Sequence, residues 1–101
     1  MKQIIFKGKF LDKIISGEKN QTIRNWKKIN LKIGEIVEAT NYKKKIKIKI
    51  KEIYIKNFLD ITEKEAILDG FNSLISFQNE VLKIYKKLNF DAYVIKFDVL
   101  N

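Results

Sequence analysis

Between Lys45 and Lys51 the chain alternates without a break, Lys-Ile-Lys-Ile-Lys-Ile-Lys. Successive side chains of a β-strand point to opposite faces, so this run predicts a strand with a lysine face in water and an isoleucine face on a core. Past it the apolar positions change phase, because Ile53 and Ile55 are odd-numbered where Ile46, Ile48 and Ile50 are even. One extra residue near Lys51-Glu52 accounts for the slip and predicts a β-bulge, the device that curls a sheet toward a barrel.

The flanking segments build around that strand. Lys2 to Lys7 reads as a short strand with Ile4 and Phe6 on one face. Phe10, Leu11, Ile14 and Ile15 then fall on one face of a helix that Gly17 is placed to end in the left-handed conformation. Gly34-Glu35 marks a turn into a strand from Ile36 to Thr40, and Asn41-Tyr42-Lys43-Lys44 reads as the hairpin connection to the lysine–isoleucine strand. Thr62-Glu63-Lys64-Glu65 is a capping box opening a short helix that stops at Asp69-Gly70. Asn72 or Ser73 can cap a second helix, striped by Leu74, Phe77, Val81, Leu82, Tyr85 and Leu88, and Tyr93, Ile95, Phe97 and Val99 alternate in a last strand. Strands gathered around a bulge and flanked by helices predict an α+β fold, a small curled β-barrel or sheet, and not a doubly wound parallel sheet.

At 101 residues, without proline or a low-complexity linker, residues 1–101 read as one domain. The absence of cysteine and histidine removes disulfides, thiol nucleophiles, imidazole catalysis and nearly every zinc site, so no metal or cofactor is expected. Any catalysis falls to Lys, Asp, Glu, Ser, Thr or Tyr. No apolar run approaches the roughly 18 residues that cross a bilayer, and Met1-Lys2-Gln3 leads into a strand-like run, which points to a cytoplasmic protein without membrane contact. The formal net charge is +9, and such a surface favours polyanionic partners, nucleic acid first, through phosphate neutralisation.

Of the 21 basic residues only Arg24 is arginine, and it closes the segment Gly17-Glu18-Lys19-Asn20-Gln21-Thr22-Ile23-Arg24. A guanidinium offers a planar fork that an ammonium lacks. If Thr22 to Arg24 runs extended, the Thr22 hydroxyl and the guanidinium share a face while Ile23 points to the core.

The order of Gly17, Lys19, Thr22 and Arg24, then Gly34-Glu35, then Asp69-Gly70-Phe71 with Ser73, Phe77 and Tyr85, then Tyr93 to Phe97, resembles the ASCH domain of the PUA-like group over nearly the whole chain. The resemblance implies a small barrel with a cleft beside the Lys-x-x-Thr-x-Arg segment, used by relatives on RNA or on modified nucleosides. Some small ASCH proteins are amidohydrolases that deacylate acetylated cytidine, and their catalytic lysine, threonine and glutamate match Lys19, Thr22 and, one methylene shorter, Asp69. Asn20 stands where threonine is common.

Three functional readings follow. The first is an RNA- or nucleotide-binding domain that takes its ligand at Lys19, Thr22 and Arg24, with Gln21 and Trp26 as further ligand contacts, Trp26 being the best candidate for base stacking. The second is the amidohydrolase, with Thr22 as nucleophile, Lys19 as base and Asp69 as acid/base. A ribonuclease ranks below both for want of histidine or a carboxylate cluster. The lysines at 43, 44, 45, 47, 49 and 51 form a ladder that reads either as a phosphate-tracking stripe, Lys43, Lys44, Lys45, Lys47, Lys49 and Lys51 all contacting nucleic acid, or as the wet side of an amphipathic strand whose charge blocks edge aggregation. The partners expected are RNA or a modified nucleoside, and a monomer is favoured.

Overall fold

The computed structural model describes residues 1–100; Asn101, the last residue of the domain read from the sequence, lies outside the described residues. In chain order the elements are β1 (Gln3–Ile5), α1 (Gly8–Ser16), β2 (Gln21–Arg24), β3 (Ile36–Thr40), β4 (Lys45–Asn57), a 3₁₀ turn (Phe58–Asp60), α2 (Glu63–Leu68), α3 (Leu74–Tyr85) and β5 (Asp91–Val99). The five strands form one sheet in the order β1-β3-β4-β5-β2, with β1 parallel to β3 and every other pair antiparallel.

The phase slip is present as a bulge. Ile50 pairs with Phe97 and Glu52 with Lys96, so Lys51 is the inserted residue. Its consequence is that one strand serves two environments. Before the bulge Ile48 and Ile50 are buried in a first cluster with Ile4, Phe6, Leu11 and Ile14, and the opposite face, with Lys47 and Lys49, is exposed. After the bulge Ile53 still packs on the first cluster, while Tyr54 turns to a second one built by Phe58, Ala66, Phe77, Val81 and Val94. The helices α2 and α3 cover this second face. On β5 the same alternation sends Ile95 and Phe97 to the first cluster and Ala92 and Val94 to the second.

Local signals place the ends of the elements. Gly17, at φ 87°, ends α1, and its N–H donates to the Ile14 carbonyl. Thr62 and Glu65 form the capping box of α2, and Ser73 caps α3 in the same manner with Ser76. In the hairpin, the Asn41 side chain accepts from the N–H groups of Lys43 and Lys44, and Tyr42 takes a positive φ of 74°. Ile15, read with the buried helix face, is 47 % exposed because it lies at the rim of that stripe.

The architecture is α+β, as expected, and it corrects one expectation: the sheet is not closed into a barrel. β1 and β2, three and four residues long, remain the two edges. Strands this short leave too few backbone groups to pair along a common seam, and aromatic rings of both clusters occupy the space between the halves. Phe10 of α1 meets Phe71 at a centroid distance of 5.2 Å, and Phe71 stacks on Phe77 at 4.4 Å. Among the described residues no helix is long and apolar enough to cross a membrane.

Candidate functional site

The segment after Gly17 is tied down on both sides. The Lys19 N–H donates to the Lys13 carbonyl, the Asn20 N–H to that of Leu68, and the Asn20 carbonyl accepts from Phe97. These bonds swing Lys19 inward against the end of α2, where its residue exposure is 3 %. It is the one buried lysine among the described residues. Its Nζ donates to the backbone carbonyl of Asp69 and lies 3.3 Å from the Asp69 carboxylate. Lys13 reaches the next carbonyl, that of Gly70, so two ammonium groups satisfy the carbonyl end of α2. Lys19 is therefore both a helix-end partner and half of a buried ion pair.

Asp69 follows the last residue of α2 in helical conformation and is 4 % exposed. Burial pushes its carboxyl up to about 6, against the pull of Lys19, Arg24 and the Ile23 N–H. Burial likewise lowers the Lys19 ammonium, with Asp69 opposing. Each partner is driven toward its neutral form, the condition in which a lysine accepts a proton and an aspartic acid donates one.

β2 supplies Thr22 and Arg24 on one face, as its extended backbone requires. Thr22 is 3 % exposed, and its Oγ1 accepts a hydrogen bond of 2.8 Å from Arg24 Nε. Arg24 Nη2 donates to the Ile5 carbonyl at 2.8 Å, across the gap between β2 and β1. The guanidinium lies over the rings of Phe6 and Trp26, 4.8 and 5.6 Å from their centroids.

These groups line one cleft of about 360 Å³ at the unclosed edge of the sheet. Lys19, Thr22, Arg24 and Asp69 supply its polar side. Phe6, Phe10, Phe71, Phe77 and Tyr85 supply its walls, and Lys7 and Glu80, paired at 3.7 Å, stand among its lining. The three residues expected to act together, Lys19, Thr22 and Asp69, thus face a common space.

Two other expected contacts lie elsewhere. Gln21 is fully buried and its side-chain amide donates to the Glu65 carbonyl at 3.2 Å, outside the cleft lining. Strand alternation explains this, since Gln21 must point opposite to Thr22. Trp26 packs on the first cluster and beneath Arg24, outside the lining as well. The ladder lysines 43, 44, 45, 47, 49 and 51 are all exposed and outside the cleft lining, and two of them are paired, Lys44 with Asp12 at 3.3 Å and Lys45 with Glu38 at 3.7 Å.

Sequence reasoning missed Phe10, Glu80 and the mouth of the cleft. Glu80 carried a usable signal: three residues after Phe77 and four before Ile84, it is a charge on the inward face of α3. No group of three or more metal-ligating side chains occurs among the described residues.

The sequence model of the ASCH domain matches residues 2–100. The chain belongs to the ASCH family. Its fold is similar to the crystal structure of an ASCH domain from Lactobacillus crispatus JV V101, with a TM-score of 0.81 at 15 % identity over 97 % of this chain and 79 % of that one. Protein EF3133 from Enterococcus faecalis V583 gives a TM-score of 0.74 at 15 % identity, covering 99 % of this ASCH domain and 80 % of its own chain. The solution structure of protein PF0455 from Pyrococcus furiosus gives 0.67 at 22 % identity, covering 99 % and 97 %. At these identities the likeness concerns the fold alone. No curated protein matches the chain significantly.

Proposed function

We propose that this ASCH domain recognises a single nucleobase, as a free nucleoside or nucleotide or as an unpaired base of RNA, in the cleft beside Lys19, Thr22 and Arg24. The observation that carries the reading is the convergence of three buried polar side chains, Lys19, Thr22 and Asp69, on an aromatic-walled cleft of about 360 Å³. That volume is at the small end for ligand sites and suits one nucleoside, not a strand. The walls offer apolar faces for a flat heterocycle, and the polar side offers donors and an acceptor for its edge. ASCH domains are associated with RNA binding, and the exposed lysines would add a salt-dependent attraction for the phosphate backbone.

One contact favours a second reading, deacylation of an N-acylated cytidine. Lys19 and Asp69 touch, and burial drives both toward neutrality. In that reaction the Thr22 hydroxyl oxygen bonds to the acyl carbon as its proton passes to Lys19. The C–N bond breaks, and the departing amine takes a proton from Asp69. Water then hydrolyses the ester on Thr22.

Calorimetric titration with cytidine, N-acetylcytidine and single-stranded RNA at low salt, with chromatography of the N-acetylcytidine sample, separates the readings. Binding without turnover, lost in Lys19→Met, is expected from recognition alone. Turnover that disappears in Thr22→Ala and rises in Asp69→Glu establishes the hydrolase. No binding of any of the three would sink both.

A further inference from the structure

The two edge strands of the open sheet are joined by one side chain. Arg24 leaves β2 and donates from Nη2 to the carbonyl of Ile5, the last residue of β1, at 2.8 Å. On the way its Nε donates to Thr22 Oγ1, also at 2.8 Å. Phe6 and Trp26 hold the plane of the guanidinium between these two acceptors. Both bonds depend on a fork of fixed geometry, which a lysine ammonium cannot reproduce. A chain that uses lysine at its 20 other basic positions has its one arginine where two acceptors on different strands must be met at once.

We propose that Arg24 is a positioning residue, which clasps β1 to β2 at the cleft and fixes the Thr22 hydroxyl as a donor toward whatever occupies it. A hydroxyl has one proton and two lone pairs. With a lone pair of Oγ1 committed to Arg24 Nε, the hydroxyl proton turns away from the guanidinium, and among the described residues no group accepts it. Thr22 is 3 % exposed and lines the cleft, so a ligand seated there meets the hydroxyl proton and can supply its acceptor. This inference rests on the reading of the cleft as a nucleobase site and deepens it: the group that meets the Thr22 proton presents a lone pair, a carbonyl oxygen or an imine-type ring nitrogen. It also gives the sole arginine a task other than direct contact with the ligand.

Because the chain has a single arginine, its Nε–H gives one unambiguous signal in a ¹⁵N-labelled sample. In wild type that proton is expected to exchange slowly with solvent, and in the near-isosteric Thr22→Val at least about tenfold faster, with Thr22→Ser retaining protection. Arg24→Lys is expected to weaken N-acetylcytidine binding about tenfold, and the double variant Arg24→Lys/Thr22→Val to bind no worse than Thr22→Val alone. Melting curves confirm that each variant is folded. Unchanged exchange in Thr22→Val overturns the proposal, as does an equal loss from Arg24→Lys with and without the Thr22 hydroxyl. If wild type binds no nucleoside, the site reading fails, and the exchange measurement alone still decides whether Arg24 holds Thr22.

Discussion

Lysine does opposite work in two parts of this molecule. On β4 Lys45, Lys47, Lys49 and Lys51 stand in water on a strand whose other face is packed with isoleucine. Such charges stay exposed to solvent even where a carboxylate is near, and removing one costs little. Lys19, with the same side chain, is 3 % exposed, pressed against the rings of Phe6 and Phe10 and in contact with a carboxylate that is equally buried. Desolvating two charges costs several kcal/mol for each in real proteins, which the mutual attraction offsets only with good geometry and further hydrogen bonds. The comparison teaches where a function is held. A surface lysine contributes to a summed field and is replaceable; a buried one is kept against its own solvation energy, and the cleft is the place where that is done.

The largest test of this contrast removes the buried partner. Lys19→Met keeps the volume of the side chain and leaves Asp69 without its cation, so stability at pH 7.5 should fall by about 3–5 kcal/mol, whereas Lys47→Ala should stay within about 0.5 kcal/mol of wild type. The loss should shrink at pH 4.5, where the carboxyl is protonated. In wild type the Asp69 carboxyl, at about 6 when folded against an ordinary 3.8, holds a proton that the unfolded chain has released. The stability due to this group is therefore fully present below about pH 4, falls by on the order of 2–3 kcal/mol as pH rises to about 6, and is flat above. Lys19→Met lifts the Asp69 value further and steepens that fall. Urea unfolding of both proteins at the two pH values measures it, and an equal loss at each pH would show that the Lys19–Asp69 pair carries no electrostatic weight.

A smaller effect should come from the backbone that holds the pair. Gly70 has a φ of 97°, and a Cβ there would lie 3.4 Å from the Cδ atoms of both Lys13 and Lys19. Gly34 has nearly the same φ, 89°, with nothing within 4 Å of an added Cβ. Alanine at either position pays the left-handed strain of about 1–2 kcal/mol. Only Gly70→Ala should also weaken ligand binding, several-fold, by crowding the stem of Lys19. Melting temperature and calorimetric affinity of the two variants check this, and equal affinities would detach the glycine from the site.

The lysine–isoleucine strand and its bulge were legible because one residue of slip moves every side chain to the other face, and burial leaves no doubt which face is which. Gly17 and Thr62 were legible as caps, and Ser73 as one of two candidates with Asn72, because each satisfies or frees specific backbone groups. The strand order was not, since pairing β1 parallel to β3 depends on contacts distant in sequence. Closure was over-read: a bulge curls a sheet, but whether its edges meet depends on edge length, and β1 and β2 are too short. The aromatic stripe of α3 shows which face of the helix turns inward, without showing that Phe77 and Tyr85 border a void as well as a core. The shared face of Thr22 and Arg24 came from strand alternation, whereas the joint roles of Lys19, Thr22 and Asp69 came from family resemblance. Gln21 was within reach of elementary reasoning, because a strand that aims Thr22 and Arg24 at the cleft must aim Gln21 away from it.

The smallest effect belongs to the ladder, and it sharpens the contrast from the other side. Glu38 sits opposite Lys47 and Asp98 opposite Lys49 on the neighbouring strands, so the stripe is interleaved with carboxylates and its field is weaker than the sequence of β4 suggests. If the ladder still meets single-stranded RNA, Lys47→Ala and Lys49→Ala should each lower the slope of log affinity against log salt by about 0.7, one phosphate contact apiece, with no change in unfolding free energy beyond about 0.5 kcal/mol. Fluorescence titrations with labelled RNA across a salt series measure the slope. A slope untouched by either substitution would assign these lysines to keeping a long β-strand soluble and unpaired with other chains, and would leave the +9 charge of the protein to act through its remaining basic residues.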